Sequence, residues 1–215
     1  PLMDNSGVKI VGCEALLRWS SEKIPDTSPT EFIPILEESG DSVKVGRCVM
    51  REAMAWQKKW NDQYGPILVS FNVTYQQFLM DGYVQDIVKT ARECGVDPSH
   101  MIIELTESCR VQAPERLAGI FEELRSYGFN IALDDFGTGY ASLEMLKMLP
   151  SDEIKIEHNF VRGLDQEGHE VDYAIIRSIL NLCEELGRKV IVEGVEKERV
   201  GAIVLGLPVN FLQGY

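Results

Sequence analysis

Oxygen-bearing side chains recur in this sequence at one kind of place, just behind a short apolar run. Glu14 closes the first such run, Asn72 the second, and Glu104 with Glu107 the third. Asp134 and Asp135 close the fourth, Lys155 and Glu157 the fifth, Glu193 and Glu196 the sixth, and Gln213 the seventh. A single acid behind a strand is usually a solvated cap. Several acids on one rim repel one another unless a counter-charge lies among them. Carboxylate and amide oxygens gathered in this way suit Mg2+ or Mn2+. Asp134 and Asp135 are the most suggestive pair. Neighbouring strand residues normally point to opposite faces. At a strand end, where the chain bends, both can approach metal, with one carboxylate bridging. Two metals ~4 Å apart are a known solution for phosphodiester hydrolysis. Behind this pair comes Phe136-Gly137-Thr138-Gly139-Tyr140. Its two glycines permit a tight loop beside a site, although Gly-x-Gly alone is only a turn signal.

Something has to carry these residues to one place. The apolar runs span residues 9–17, 67–73, 101–105, 130–136, 153–156, 189–192 and 209–212, and several lack polar alternation. That suits strands buried on both faces, as in a parallel sheet covered by helices. Between them lie helical patterns. Over 75–94 the residues Phe78, Leu79, Tyr83, Val84, Ile87, Val88 and Ala91 form one stripe, and over 171–186 Ile175, Ile176, Ile179, Leu180, Cys183 and Leu186 form another. Gly95, Gly128 and Gly187 stand where helices would end. Strand–helix alternation with no linker predicts one α/β domain over residues 1–215. An open doubly wound sheet wants a glycine-rich turn after its first strand. None follows residues 14–19, so a barrel is preferred. Barrels of this type take about 250 residues and place their active site at the carboxyl ends of the strands. With 215 residues, a start at Pro1 rather than Met and no helix after the last strand, both ends are expected to be truncated.

Composition narrows the function. Hydrophobic residues are 45% and charged residues 26%, an ordinary balance for a protein with a sizeable core. No apolar run nears the ~20 residues of a membrane span, and no basic-then-apolar leader opens the chain. A cytoplasmic domain without membrane contact of its own is expected, from a full-length protein that could still be membrane-anchored. The five cysteines (Cys13, Cys48, Cys94, Cys109, Cys183) are scattered and odd in number, as reduced thiols are. A net charge of −13 repels nucleic acid and argues against DNA as a partner.

In its motifs the sequence resembles the EAL domain family. Glu14-Ala15-Leu16 is the name-giving motif, continued by Leu17-Arg18-Trp19. Phe71-Asn72-Val73, Glu104-Leu105-Thr106-Glu107-Ser108 and Asp134-Asp135-Phe136-Gly137-Thr138-Gly139-Tyr140 follow. Ile154-Lys155-Ile156, Glu193-Gly194-Val195-Glu196 and Gln213-Gly214-Tyr215 complete the family's order over essentially the whole chain. The resemblance implies a modified TIM-type (β/α)8 barrel with one antiparallel strand, that first strand being clipped to Pro1-Leu2-Met3-Asp4. It implies hydrolysis of cyclic di-GMP to linear pGpG with two Mg2+ or Mn2+ ions. Glu14, Asn72, Glu104 and Asp134 would hold the first ion, and Asp134 would bridge to a second beside Asp135. Lys155 would orient the attacking water, and Glu193 would assist at the second ion or act as base. Glu107 and Glu196 would support the loop and the site, while Arg18, Leu16 and Gln213 would contact or organise substrate. The family also implies a homodimer beside the 134–140 loop, for which Met145, Leu146, Met148 and Leu149 are candidates. It further implies a sensor or GGDEF domain upstream in a longer signalling protein.

The sequence departs from the family pattern at a few places. The usual Lys-x-Asp is here Lys155-Ile156-Glu157, and the extra methylene is expected to disturb site geometry if position 157 touches Lys155, water or metal. Ala141, Val192 and Lys197 also differ from the usual residues. None of these removes a ligand. The competing reading is a domain that binds cyclic di-GMP as a receptor, or serves as a scaffold, without turnover. Another metal-dependent barrel enzyme would need the same acids but not the 134–140 loop or Gln213-Gly214-Tyr215.

Overall fold

Each apolar run folds into a strand whose two faces serve different neighbours. The computed structural model describes residues 1–24, 27–106, 113–137, 143–166 and 168–214. Its strands are β1 (Leu2–Asp4), β2 (Ile10–Ala15), β3 (Leu68–Val73), β4 (Met101–Thr106), β5 (Asn130–Phe136), β6 (Glu153–Ile156), β7 (Lys189–Val192) and β8 (Phe211–Gln213). They pair in sequence order and close into a barrel. β2 through β8 run parallel to one another. β1 is antiparallel to both β2 and β8, with Leu2 opposite Gly12 on one side and Gln213 on the other. The clipped first strand expected from the sequence therefore still closes the ring, with three residues.

Eight helices among the described residues surround the barrel: α1 (Pro29–Ser39), α2 (Ser42–Tyr64), α3 (Tyr75–Phe78), α4 (Tyr83–Cys94), α5 (Pro114–Ser126), α6 (Leu143–Met148), α7 (Glu170–Glu185) and α8 (Glu198–Leu205). Strand side chains at alternate positions, such as Phe71, Ile103, Leu133, Ile154 and Val190, join helix residues Met54, Ile87, Phe121, Ile176 and Val204 in one apolar cluster. The intervening Ile102, Ala132 and Ile191 are buried but stand outside that cluster. They share the face of Glu104, Asp134 and Glu193, two residues further along their strands. The strands thus read as nearly unbroken apolar runs because helices bury one face and the barrel interior buries the other.

Local signals place the helices. Ser28 and Glu31 form a capping box at α1, with the Ser28 N–H donating to the Glu31 carboxylate at 2.9 Å. Gly95, Gly128 and Gly187 all take positive φ behind helices. The stripe over 75–94 belongs to two helices rather than one. Gly82 at φ 82° breaks it and starts α4, while Phe78, Tyr83, Val84 and Ile87 remain buried. In the second stripe Ile176, Leu180 and Cys183 are core, but Leu186 is exposed. Leu146 and Leu149 are buried in the same core. Met145 and Met148 are only half-buried. The four described cysteines are free thiols, and Cys109 lies outside the described residues. No described helix is long and apolar enough to cross a membrane.

Candidate metal centre

The site begins with a fault in the sheet. Between β5 and β6 the register slips at the stretch from Leu133 to Phe136. Asp135 takes φ 55°, the only positive φ at a non-glycine residue among those described. Aspartate visits this left-handed region more readily than most residues, at a cost of roughly 1–2 kcal/mol. The turn answers the objection that neighbouring strand residues face apart. Carboxylate oxygens of Asp134, Asp135 and Glu193 lie within 4.8 Å of one another. The Asp135 N–H donates to Asp134 Oδ1 at 2.9 Å, which fixes the pair.

Asp134 also belongs to a second set, with Glu14 and Glu104, again within 4.8 Å. Lys155 rises from β6 into the middle of these acids and is 0% exposed. Its Nζ lies 3.2 Å from Glu14, 3.1 Å from Glu104, 3.2 Å from Asp134 and 2.8 Å from Glu193. Four carboxylates around one ammonium leave a surplus of negative charge. The titration directions follow. Burial pushes Glu104 well above the usual carboxylate range; Lys155 opposes this, and Glu14 and Asp134 add to it. Asp134 is raised for the same reasons, burial first. Glu193 is pushed up to about 7, chiefly by burial, against the pull of Lys155. Burial also acts on Glu14, but Lys155 and the donors Gln213 and Asn72 outweigh it and leave that carboxyl low. Lys155 itself is held well above its normal value: burial disfavours its charge, and the surrounding carboxylates overcome that.

The donors present fit a hard divalent cation. Asn72 gives its Nδ2–H to Glu14 Oε1 at 2.8 Å. Its own Oδ1 is buried with no hydrogen-bond partner. An orphan amide oxygen beside the Glu14 carboxylate suits an oxygen-seeking ion. Gln213 donates to the other Glu14 oxygen at 2.6 Å. The end of β8 is pinned there, because Val195 N–H donates to Gln213 O at 3.1 Å. A Cβ on Gly214 would lie 2.0 Å from Val195 O, so only glycine allows this approach.

The other sequence-predicted residues fall into three groups. Leu16 and Glu196 line the same cavity of about 420 Å³ as Glu14, Asp134, Glu193 and Gln213. Arg18 does not. Its Nη1 donates to Leu17 O at 3.1 Å, and it lines a neighbouring cavity of about 370 Å³ with Trp56 and Trp60, which also touches Glu14 and Leu16. Glu107, residues 138–142 (Gly139 and Tyr140 among them) and Tyr215 lie outside the described residues. Two contributors are missed by sequence reasoning. Ser70, two residues before Asn72 on the same strand face, hydrogen-bonds Glu104. His158 lines the acid cavity, and its position just past Lys155-Ile156-Glu157 is the signal that could have found it. Glu157 touches neither Lys155 nor the acids through any described hydrogen bond or ion pair; it caps the turn at His158–Phe160. The expectation that its longer arm disturbs the cluster through Lys155 loses its premise.

A pH dependence follows from these directions. With Glu104, Asp134 and Glu193 raised, the metal-free fold holds protons that the unfolded chain has already released. Stability contributed by these groups therefore falls as pH rises from the ordinary carboxylate value of about 4.3 through about 7. A divalent cation replaces those protons. The rise in Tm produced by Mn2+ over chelated protein should accordingly be larger at pH 8 than at pH 5.5, and thermal melts at both pH values check it. Equal shifts would contradict it.

A closed mixed barrel that gathers acids at the carboxyl ends of its parallel strands is a TIM-like fold with a candidate divalent-metal site. Within that class the chain belongs to the EAL domain family, whose model matches residues 1–215. It is 35% identical over 207 residues to the bifunctional diguanylate cyclase/cyclic di-GMP phosphodiesterase MucR of Pseudomonas aeruginosa, covering 96% of this chain and 30% of MucR. It is 31% identical over 210 residues to the cyclic di-GMP phosphodiesterase PdeL of Escherichia coli, covering 96% and 57% respectively. Among solved structures, the P. aeruginosa MucR phosphodiesterase in complex with c-di-GMP superposes with a TM-score of 0.90 at 34% identity, over all of this chain and 86% of that one. The chain spans between 30% and 57% of the length of such curated relatives.

Proposed function

We propose that this domain hydrolyses cyclic di-GMP to linear pGpG with two Mg2+ or Mn2+ ions. The observation that carries the reading is the membership of Asp134 in both oxygen clusters. Glu14, Asn72, Glu104 and Asp134 would hold one ion, and Asp134, Asp135 and Glu193 the other. When bound, such ions would acidify water and offset charge on the phosphodiester. Lys155 serves as the internal counter-ion that keeps the acids convergent. Glu193 would accept the proton of the attacking water, whose oxygen bonds to phosphorus as the P–O3′ bond breaks; O3′ takes a proton from solvent. Gln213 fixes Glu14 from the β8 side. The domain would work within a longer signalling protein, in keeping with its covering only 30% to 57% of its curated relatives.

Purified domain with Mn2+ or Mg2+ should convert cyclic di-GMP to pGpG, read by chromatography, and chelation should stop it. Binding of cyclic di-GMP without any pGpG under every metal would replace this reading with that of a receptor.

A further inference from the structure

We propose that His158, clamped by Glu157, is a substrate-contacting residue that donates from Nε2 to a non-bridging phosphate oxygen of the cyclic dinucleotide; this rests on the phosphodiesterase reading above. The wall of the cavity is acidic, and no lysine or arginine is among the described residues that line it. Lys155 lies beneath it, enclosed by acids, and Arg18 lines the neighbouring cavity. Beside the proposed ions, His158 is the lining side chain among the described residues able to donate to an anionic ligand while carrying positive charge.

The ring is held on two sides. Its Nδ1 lies 2.7 Å from Glu157 Oε1, with the imidazole 56% exposed and the carboxylate 6% exposed. Glu157 is itself fixed by the Asn159 N–H at 2.9 Å and Asn159 Nδ2 at 2.8 Å. Opposite, Gly194 at φ 71° packs so closely that a Cβ there would fall 2.5 Å from His158 Cβ. The imidazolium form pairs with the Glu157 carboxylate beside Nδ1 and keeps a second N–H at Nε2, matched to phosphate oxygen.

The longer arm at position 157 has a use in this arrangement. Asp97 caps the turn Pro98–His100 in the same manner, accepting the Ser99 N–H at 3.0 Å. A cap of this kind therefore needs only aspartate. What glutamate adds at 157 is reach to the neighbouring imidazole. Glu157→Asp keeps the cap and releases the ring, making Glu157 a positioning residue whose two roles can be separated.

The test is steady-state hydrolysis of cyclic di-GMP under saturating Mn2+ by wild type, Glu157→Asp, His158→Ala and the double variant, with melts of each. His158→Ala should raise KM about tenfold with kcat within about twofold, as loss of a charge-assisted hydrogen bond made in ground and transition states alike. Glu157→Asp should raise KM in the same direction by a smaller factor without lowering Tm, and should add nothing in the His158→Ala background. His158→Arg, which restores a donor cation, should recover KM whichever acid stands at 157. Additive effects, or a silent Glu157→Asp beside a damaging His158→Ala, would overturn the clamp. An unchanged KM in His158→Ala would overturn the contact. If wild type leaves cyclic di-GMP intact with every metal, the phosphodiesterase reading fails separately. The same four proteins then report through their Kd for cyclic di-GMP, where absence of coupling also overturns the inference.

Discussion

Asp134→Asn should lower turnover of cyclic di-GMP by roughly 10³-fold or more, the scale expected when a metal-generated nucleophile is lost, while the domain stays folded. Asp134 is the one carboxylate common to both oxygen clusters, so a single charge deletion weakens two ion sites at once. The amide keeps the shape, and one oxygen remains to accept the Asp135 N–H that it now takes at 2.9 Å. Its carboxyl is raised by burial in the metal-free protein. A neutral side chain there should therefore raise the Tm of chelated protein slightly at pH 8, or leave it unchanged, even as activity vanishes. Turnover within tenfold of wild type would show that Asp134 bridges nothing.

Lys155→Met should act the other way round, on the fold before the chemistry. The lysine is 0% exposed and answers four carboxylates. Removing one partner from a buried ionic cluster costs about 3–5 kcal/mol because the remaining charges are left uncompensated. The loss should be largest at pH 8, where Glu104, Asp134 and Glu193 are most ionised, and smaller at pH 5.5, where protons neutralise them. Mn2+ should restore part of the lost Tm by supplying the missing positive charge. Denaturant titrations with chelator and with Mn2+ at both pH values measure this. A Lys155→Met protein as stable as wild type in chelator at pH 8 would remove the counter-ion role.

The strand ends were legible in the sequence because strand periodicity is local. Glu14, Asp134, Glu193 and Gln213 line the cavity, and Asn72 and Glu104 join the same cluster through Glu14 and Lys155. The ring order and the antiparallel β1 came from the motif series, since three residues at 2–4 carry too little pattern to declare a strand. The bulge at Asp135 was not legible, because φ at one residue is set by pairing with β6. The break at Gly82 was legible in principle, yet an uninterrupted apolar stripe concealed it. Long side chains are the least legible, because Arg18 and Glu157 have several rotatable bonds and their heads can turn to chain neighbours as readily as across the barrel. Arg18 folds back onto the Leu17 carbonyl. Glu157 turns to its own capped turn and to His158 instead of Lys155.

The central claim is that the bulged Asp134–Asp135 pair lets two divalent ions share one carboxylate. Anomalous scattering from crystals soaked in Mn2+ tests it most directly. The account predicts two peaks ~4 Å apart, one among Glu14, Asn72, Glu104 and Asp134, the other among Asp134, Asp135 and Glu193. A single peak, or two that do not both contact Asp134, would contradict it.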